Sequence, residues 1–153
     1  MKVNFYENVS DEKLKFSVIV SEYQGKQVWC RHRDRDTYEI PGGHREIGES
    51  ISDTAKRELY EETGAVDYNL YPVCVYAVES NDEQTFGMLF YADINKLEEE
   101  LHSEIECIRL FDDIPDKLTY PLIQPFLNKK VSEWRRKGGF INDNNRNAED
   151  TVL

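Results

Sequence analysis

The chain has 153 residues, with 30 acidic side chains against 19 basic ones and a formal net charge of -11. Hydrophobic residues at 39% and aromatics at 12% are too many for a disordered polyelectrolyte, so the length implies one folded domain with a sizeable core. The negative charge argues against a surface built to hold duplex nucleic acid, but not against a small polyanion that arrives with a divalent cation.

No apolar run approaches the roughly 18 residues of a membrane helix. The N-terminal MKVNFYENVSDEK has no apolar core of the kind a secretory signal needs. Cys30, Cys74 and Cys107 are odd in number and far apart in the chain, so they read as free thiols in a reducing compartment. The expectation is a cytoplasmic protein with no membrane partner, either a monomer or a homodimer.

In chain order, residues 16–20 (FSVIV) and 28–30 (VWC) read as two strands of a hairpin turning at Gln24-Gly25-Lys26. The charged stretch RHRDRD follows, and Pro41-Gly42-Gly43 is expected to break regular structure. Residues 50–63 predict a helix, with Ser50 as N-cap, Asp53 completing a capping box and Gly64 as C-cap. Residues 70–78 and 86–91 predict strands around the polar loop ESNDEQ, whose Asp82, Glu83 and Gln84 read as mobile and near the site, with no assigned role. Residues 105–111 predict a further strand and residues 119–137 a second helix, despite Pro121 and Pro125. The Asn- and Gly-rich stretch from Gly138 onward is expected to be a poorly ordered tail, which leaves residues 1–137 as the domain. This order of elements is an α/β pattern with a mixed sheet.

At about 100° per residue, Ile51, Ala55 and Leu59 form the apolar stripe of the first helix, and Lys56, Tyr60 and Asp53 face solvent. Glu62 and Glu58 fall within about 20° of that stripe, and Glu61 lies beside them. Carboxylates crowded on an inward face repel each other and are costly to desolvate unless a cation joins them. One arginine, Arg57, cannot neutralise three glutamates. Oxygen ligands of this kind select Mg²⁺, Mn²⁺ or Ca²⁺ over thiophilic metals.

The same segment, GHREIGESISDTAKRELYEETGA, resembles the signature of the Nudix hydrolases. Gly43, Glu49, Arg57-Glu58-Leu59, Glu61-Glu62 and Gly64 fill its defined positions, and only Ala65 stands where a bulkier aliphatic residue is usual. The resemblance implies a single-domain α/β/α sandwich with a mixed sheet that hydrolyses the pyrophosphate bond of nucleoside diphosphate-linked compounds with Mg²⁺ or Mn²⁺. It makes Glu58, Glu61, Glu62 and the Gly43 carbonyl the metal ligands. Glu49 and Arg57 become the residues that orient those carboxylates, so Glu61, Glu58, Arg57 and Glu49 form the catalytic group. Either Glu61 or a later loop glutamate, Glu104 or Glu106, is expected to act as base; a polar strand edge is the other reading of those two.

Anionic substrates also need cations. Arg31, His32, Arg33, Arg35, His44 and Arg45 flank the motif, and strand alternation would set Arg31, Arg33 and Arg35 on one face. Arg33, Arg35 and His44 are the candidates for the substrate phosphates, unless the arginines pair with Asp34, Asp36 or Glu39. Tyr38, Tyr76 and Phe86 are potential stacking partners for a base, with ordinary core packing as the alternative. The tyrosine of dinucleoside polyphosphate subgroups and the proline of ADP-ribose subgroups are absent from residues 80–83, and the coenzyme A element is matched only in its closing Pro-Gly-Gly. By elimination the resemblance favours a nucleoside triphosphate pyrophosphatase of the MutT type, acting on substrates such as 8-oxo-dGTP. Two alternatives stay open, an RNA 5′ pyrophosphohydrolase and a non-catalytic nucleotide-binding regulatory module.

Overall fold

A computed structural model describes residues 1–99 and 105–138. Its strands are β1 (Lys2–Tyr6), β2 (Leu14–Tyr23), β3 (Lys26–His32), β4 (Gly42–His44), β5 (Ala65–Ser80), β6 (Glu83–Leu97) and β7 (Ile105–Phe111). The helices are α1 (Ile51–Thr63) and α2 (Gln124–Arg136). The strands form one sheet in the order β1-β5-β6-β2-β3-β7, with β4 paired to β2. Among the described strands only the β2–β6 pairing is parallel, so the sheet is mixed as expected.

Alternation along the central strands builds two cores, one on each face of the sheet. Ile19, Val28, Phe90 and Ala92 pack with Ala55 and Leu59 of α1. Their neighbours Val20, Trp29, Leu89 and Tyr91 pack with Leu127, Val131 and Trp134 of α2. The two helices therefore cover opposite faces, an α/β/α sandwich. Arg135 fastens α2 to the sheet by pairing with Glu22 and lying 4.7 Å over the Tyr91 ring.

Local signals account for α1. Ser50 accepts from the Asp53 amide at 3.0 Å, Asp53 returns the contact to the Ser50 amide at 3.4 Å, and Gly64 ends the helix at φ 79. Removing this cap by Ser50→Ala is expected to cost about 1 kcal/mol. In a chain of this size that lowers Tm by about 3 °C, which a thermal melt would measure.

Helix α2 begins later than its sequence suggests. Pro125 has no N–H to give to a helical interior, so it occupies the first turn, where that donor is unsatisfied anyway, and residues 121–123 form a turn before it. The expected loop at residues 82–84 is also absent. Asn81 and Asp82, at φ 52 and 65, close a two-residue turn, while Glu83 and Gln84 already belong to β6. Gln84 is held by Glu79 at 2.6 Å and by Tyr6 at 3.1 Å.

The site depends on a split in the sheet. β2 and β3 pair only at Glu22/Gln27 and Tyr23/Lys26 before they diverge. The chain from Glu39 to His44 fills the gap. Glu39 and Cys30 exchange two backbone hydrogen bonds of 2.9 Å, the Ile19 amide donates to the Pro41 carbonyl at 2.9 Å, and Gly42 to His44 pair with Val18 to Phe16. Gly42 and Gly43 therefore enter β4, while Pro41 forms the bend that precedes it. The two glycines serve close approach: a Cβ on Gly42 would stand 2.5 Å from the Ser17 carbonyl oxygen, and one on Gly43 would stand 2.3 Å from the Glu58 carboxylate. Among the described residues no helix is long and apolar enough to cross a membrane.

Candidate active site

The three motif glutamates differ in burial in the order that the helical wheel implies. Side-chain exposure rises from 9% at Glu62 to 13% at Glu58 and 37% at Glu61. Glu62 lies in the last turn of α1 and points under the Pro-Gly-Gly segment, where its Oε1 accepts from the Gly42 amide at 2.7 Å. Burial pushes its carboxyl up to about 8, a shift that the Gly42 contact only partly offsets and that nearby Glu58, Glu39 and Glu61 reinforce. Burial also raises the Glu58 carboxyl, against the lowering effect of Arg57.

Arg57 ties the motif together. Its Nε donates to Glu49 Oε2 at 2.6 Å and its Nη2 to Glu49 Oε1 at 3.0 Å, a two-pronged contact that lysine cannot reproduce. The same guanidinium reaches Glu58 at 2.7 Å, Glu61 at 3.5 Å and the His44 carbonyl at 2.9 Å. Glu49 in turn accepts from the Glu46 amide and the Thr54 hydroxyl. Arg57 is the main reason that its carboxyl is lowered to about 2. One fork thus joins the β4–α1 loop to the carboxylate face of the helix.

Of these side chains, Arg57, Glu58 and Glu62 border a cavity of about 550 Å³, whereas Glu49 and Glu61 are not among its lining residues. Glu58, Glu62, Arg57 and Gly43 line it together with Phe16, Val18, Ile40, Tyr120 and Gln124. Of the expected phosphate contacts, Arg35 and His44 line the cavity. Arg33 does not line it, because β3 ends at His32 and the following residues turn, with the Arg35 amide bonded to the His32 carbonyl. Alternation applies only while the strand lasts, so it cannot place Arg31, Arg33 and Arg35 on one face. Arg35 pairs with Glu39 at 2.8 Å, one of the ion pairs anticipated from the sequence. Tyr76 is buried and Tyr38 packs on Phe111, while Phe86 meets Tyr6, and none of the three lines the cavity. Glu104 lies outside the described residues. Glu106 is a position of β7 at the bulge between the Arg31/Cys107 and His32/Ile105 pairs.

Residues 12–93, more than half of the chain, match the family model described as the NUDIX domain. The chain belongs to the Nudix family. It is 30% identical over 120 residues, 78% of its own length and 75% of the relative's, to YtkD of Bacillus subtilis (strain 168), a proposed 8-oxo-dGTP diphosphatase. Its structure resembles that of a mutant of the Bacillus subtilis pyrophosphohydrolase BsRppH, with a TM-score of 0.71, 26% identity and coverage of 86% of this chain and 90% of that one. A Nudix hydrolase from Nitrosomonas europaea matches in fold at a TM-score of 0.63, with 21% identity and coverage of 81% and 90%.

This Nudix hydrolase is thus a pyrophosphatase, an enzyme of phosphoric anhydride bonds. Family members use a divalent metal, and the donor set here suits one. Three carboxylates with a single guanidinium among them leave an excess of negative charge, and the missing Cβ at Gly43 lets Glu58 approach the backbone. Tyr120 and Gln124, which sequence reasoning missed, reach the Nudix site across the fold; Gln124 Oε1 accepts from the Ile40 amide at 2.9 Å, 84 residues away. No local pattern marks them.

The raised Glu62 carboxyl has a consequence for pH. The folded protein holds that proton more tightly than the unfolded chain, so the associated stability is full below about 4.5 and is lost as pH rises to about 8. In the presence of EDTA, the Tm of Glu62→Gln relative to wild type is therefore expected to climb across that window and then level off. A constant Tm difference from pH 5 to 8.5 would contradict the buried protonated carboxyl.

Proposed function

We propose that this Nudix hydrolase cleaves nucleoside triphosphates to the monophosphate and pyrophosphate, with an oxidised purine nucleotide such as 8-oxo-dGTP as its preferred substrate. The observation that carries the reading is the convergence of Glu58, Glu62 and Arg57 with Gly43 on a cavity that Phe16, Val18, Ile40 and Tyr120 also line. Charged phosphates suit its ionic side chains and a flat base its apolar and aromatic ones. The likeness to YtkD supports the choice of substrate.

In this assignment Glu58, Glu61, Glu62 and the Gly43 carbonyl hold Mg²⁺ or Mn²⁺. Bound there, a divalent cation neutralises the phosphate oxygens, lowers the pKa of its water and stabilises the leaving group. The protein's own part is positioning and proton transfer. Arg57 and Glu49 keep the carboxylates aimed at the cavity. Arg35 and His44 contact the phosphates, and Glu61, the most exposed of the three glutamates, takes the proton from the attacking water.

A second reading is hydrolysis of the 5′-triphosphate of an RNA, with which the likeness to the pyrophosphohydrolase BsRppH is compatible. A panel of 8-oxo-dGTP, ordinary nucleoside triphosphates, ADP-ribose, dinucleoside polyphosphates and 5′-triphosphate RNA, assayed for released pyrophosphate and phosphate with Mg²⁺ and Mn²⁺, separates the two. The highest kcat/KM is expected for 8-oxo-dGTP. A higher value for the RNA establishes the second reading, and turnover of ADP-ribose or dinucleoside polyphosphates alone overturns both.

A further inference from the structure

Three side chains from separate elements meet beside the motif: His32 ends β3, Glu39 lies on the segment that fills the split sheet, and Glu62 lies in the last turn of α1. His32 Nε2 stands 2.8 Å from Glu39 Oε1 and 3.4 Å from Glu62 Oε2. The remaining carboxylate oxygens are engaged as well. Glu39 Oε2 accepts from Arg35 Nη1 at 2.8 Å, and Glu62 Oε1 accepts from the Gly42 amide at 2.7 Å.

We propose that His32 and Glu39 are positioning residues that hold the Glu62 carboxylate in the orientation from which it serves a divalent cation. The inference rests on the metal role given to Glu62 above. The fold does not need the His32–Glu39 contact to bring these strands together, because Glu39 and Cys30 already exchange two backbone hydrogen bonds of 2.9 Å. Two nearly buried carboxylates beside Glu58 are a poor choice for stability alone. The imidazole nitrogen lies within reach of both carboxylates, and the ligand atoms of all three side chains stand within 4.8 Å of one another. Without it, Glu62, the more distant partner, is free to swing about its Gly42 contact. The closer Glu39 is locked from behind by Arg35, so it acts as the fixed end of the arrangement.

Mn²⁺ binding to the full chain without substrate, followed by electron paramagnetic resonance of the free ion, tests this apart from turnover. His32→Ala and Glu39→Ala are expected to weaken Mn²⁺ binding about 10- to 100-fold, the usual cost of losing a partner that orients a ligand. His32→Gln, which keeps an N–H near Nε2, should stay within about threefold of wild type. At saturating metal the alanine variants should lose kcat with little change in the nucleotide KM. Melting in EDTA screens every variant for folding, and Glu39→Gln repeats the test if an alanine variant is unfolded. If Glu62→Gln weakens Mn²⁺ binding but the folded His32 and Glu39 variants do not, the positioning role falls while the metal assignment stands. If Glu62→Gln binds Mn²⁺ like wild type, the metal role of Glu62 falls and this inference falls with it.

Discussion

Glu58→Gln is expected to lower kcat/KM by about 10³-fold at saturating Mg²⁺ while the protein melts close to the wild-type temperature. The two expectations have different physical origins. Glu58 is mostly buried, and burial already raises its carboxyl, so the folded protein without metal bears a cost for the charge and little for its removal. A glutamine keeps the volume and leaves an oxygen to accept from Arg57, 2.7 Å away. What it cannot supply is the negative charge that the proposed site needs opposite a polyphosphate-bound cation. Kinetics over a range of Mg²⁺ concentrations, with a thermal melt on the same preparation, measure both. Near-normal turnover by folded Glu58→Gln at saturating Mg²⁺ would remove Glu58 from the site.

Gly43→Ala is expected to damage function more than folding, and Gly42→Ala the reverse. A Cβ at position 43 meets Glu58 Cδ and Oε1 at 2.3 Å and Oε2 at 2.7 Å, the far end of a flexible side chain that rotates away at small cost. Its rotation removes Glu58 from Gly43 and strains the Arg57 fork. Misplacement of about 1 Å in such a site costs about 100-fold in kcat/KM. A Cβ at position 42 meets backbone instead, the Ser17 carbonyl oxygen at 2.5 Å and Val18 Cα at 3.0 Å. There β4 must move off β2, and about 1–3 kcal/mol of stability is lost, as for other overpacked positions. Melts and kinetics on the pair would show two opposite profiles. Equal loss of Tm in both would mean that Glu58 is not free to yield.

Much of the site was legible because the motif is local. Gly43, Glu49, Arg57, Glu58, Glu61 and Glu62 lie in one loop and one helix, and helix geometry converts their spacing into a shared face. The capping box and Gly64 set the ends of that helix from neighbouring residues. The order of burial, Glu62 below Glu58 below Glu61, follows from the same arithmetic. The turn at Gln24-Gly25 was also local, with φ values of 54 and 78 closing β2 onto β3.

Other features depend on contacts between distant parts of the chain. The alternation that would align Arg31, Arg33 and Arg35 assumes a strand that continues, yet β3 stops at His32. It stops there because the chain turns back and Glu39 takes up the Cys30 backbone pairing, an event that no local propensity encodes. That return brings His32, Glu39 and Glu62 together and places Arg35 on the cavity. Tyr120 arrives from the segment that leads into α2 and Gln124 from the first turn of that helix, whose start is set by Pro125 and whose position is set by packing of Leu127 and Val131 on the far face of the sheet. The sequence by itself determined the fold class, the carboxylate face and the fork that holds it, because those rest on hydrogen bonds and spacings within one short segment. Only the tertiary structure decided which cations and aromatic groups stand opposite that face, because strand pairing and helix docking join residues far apart in the chain.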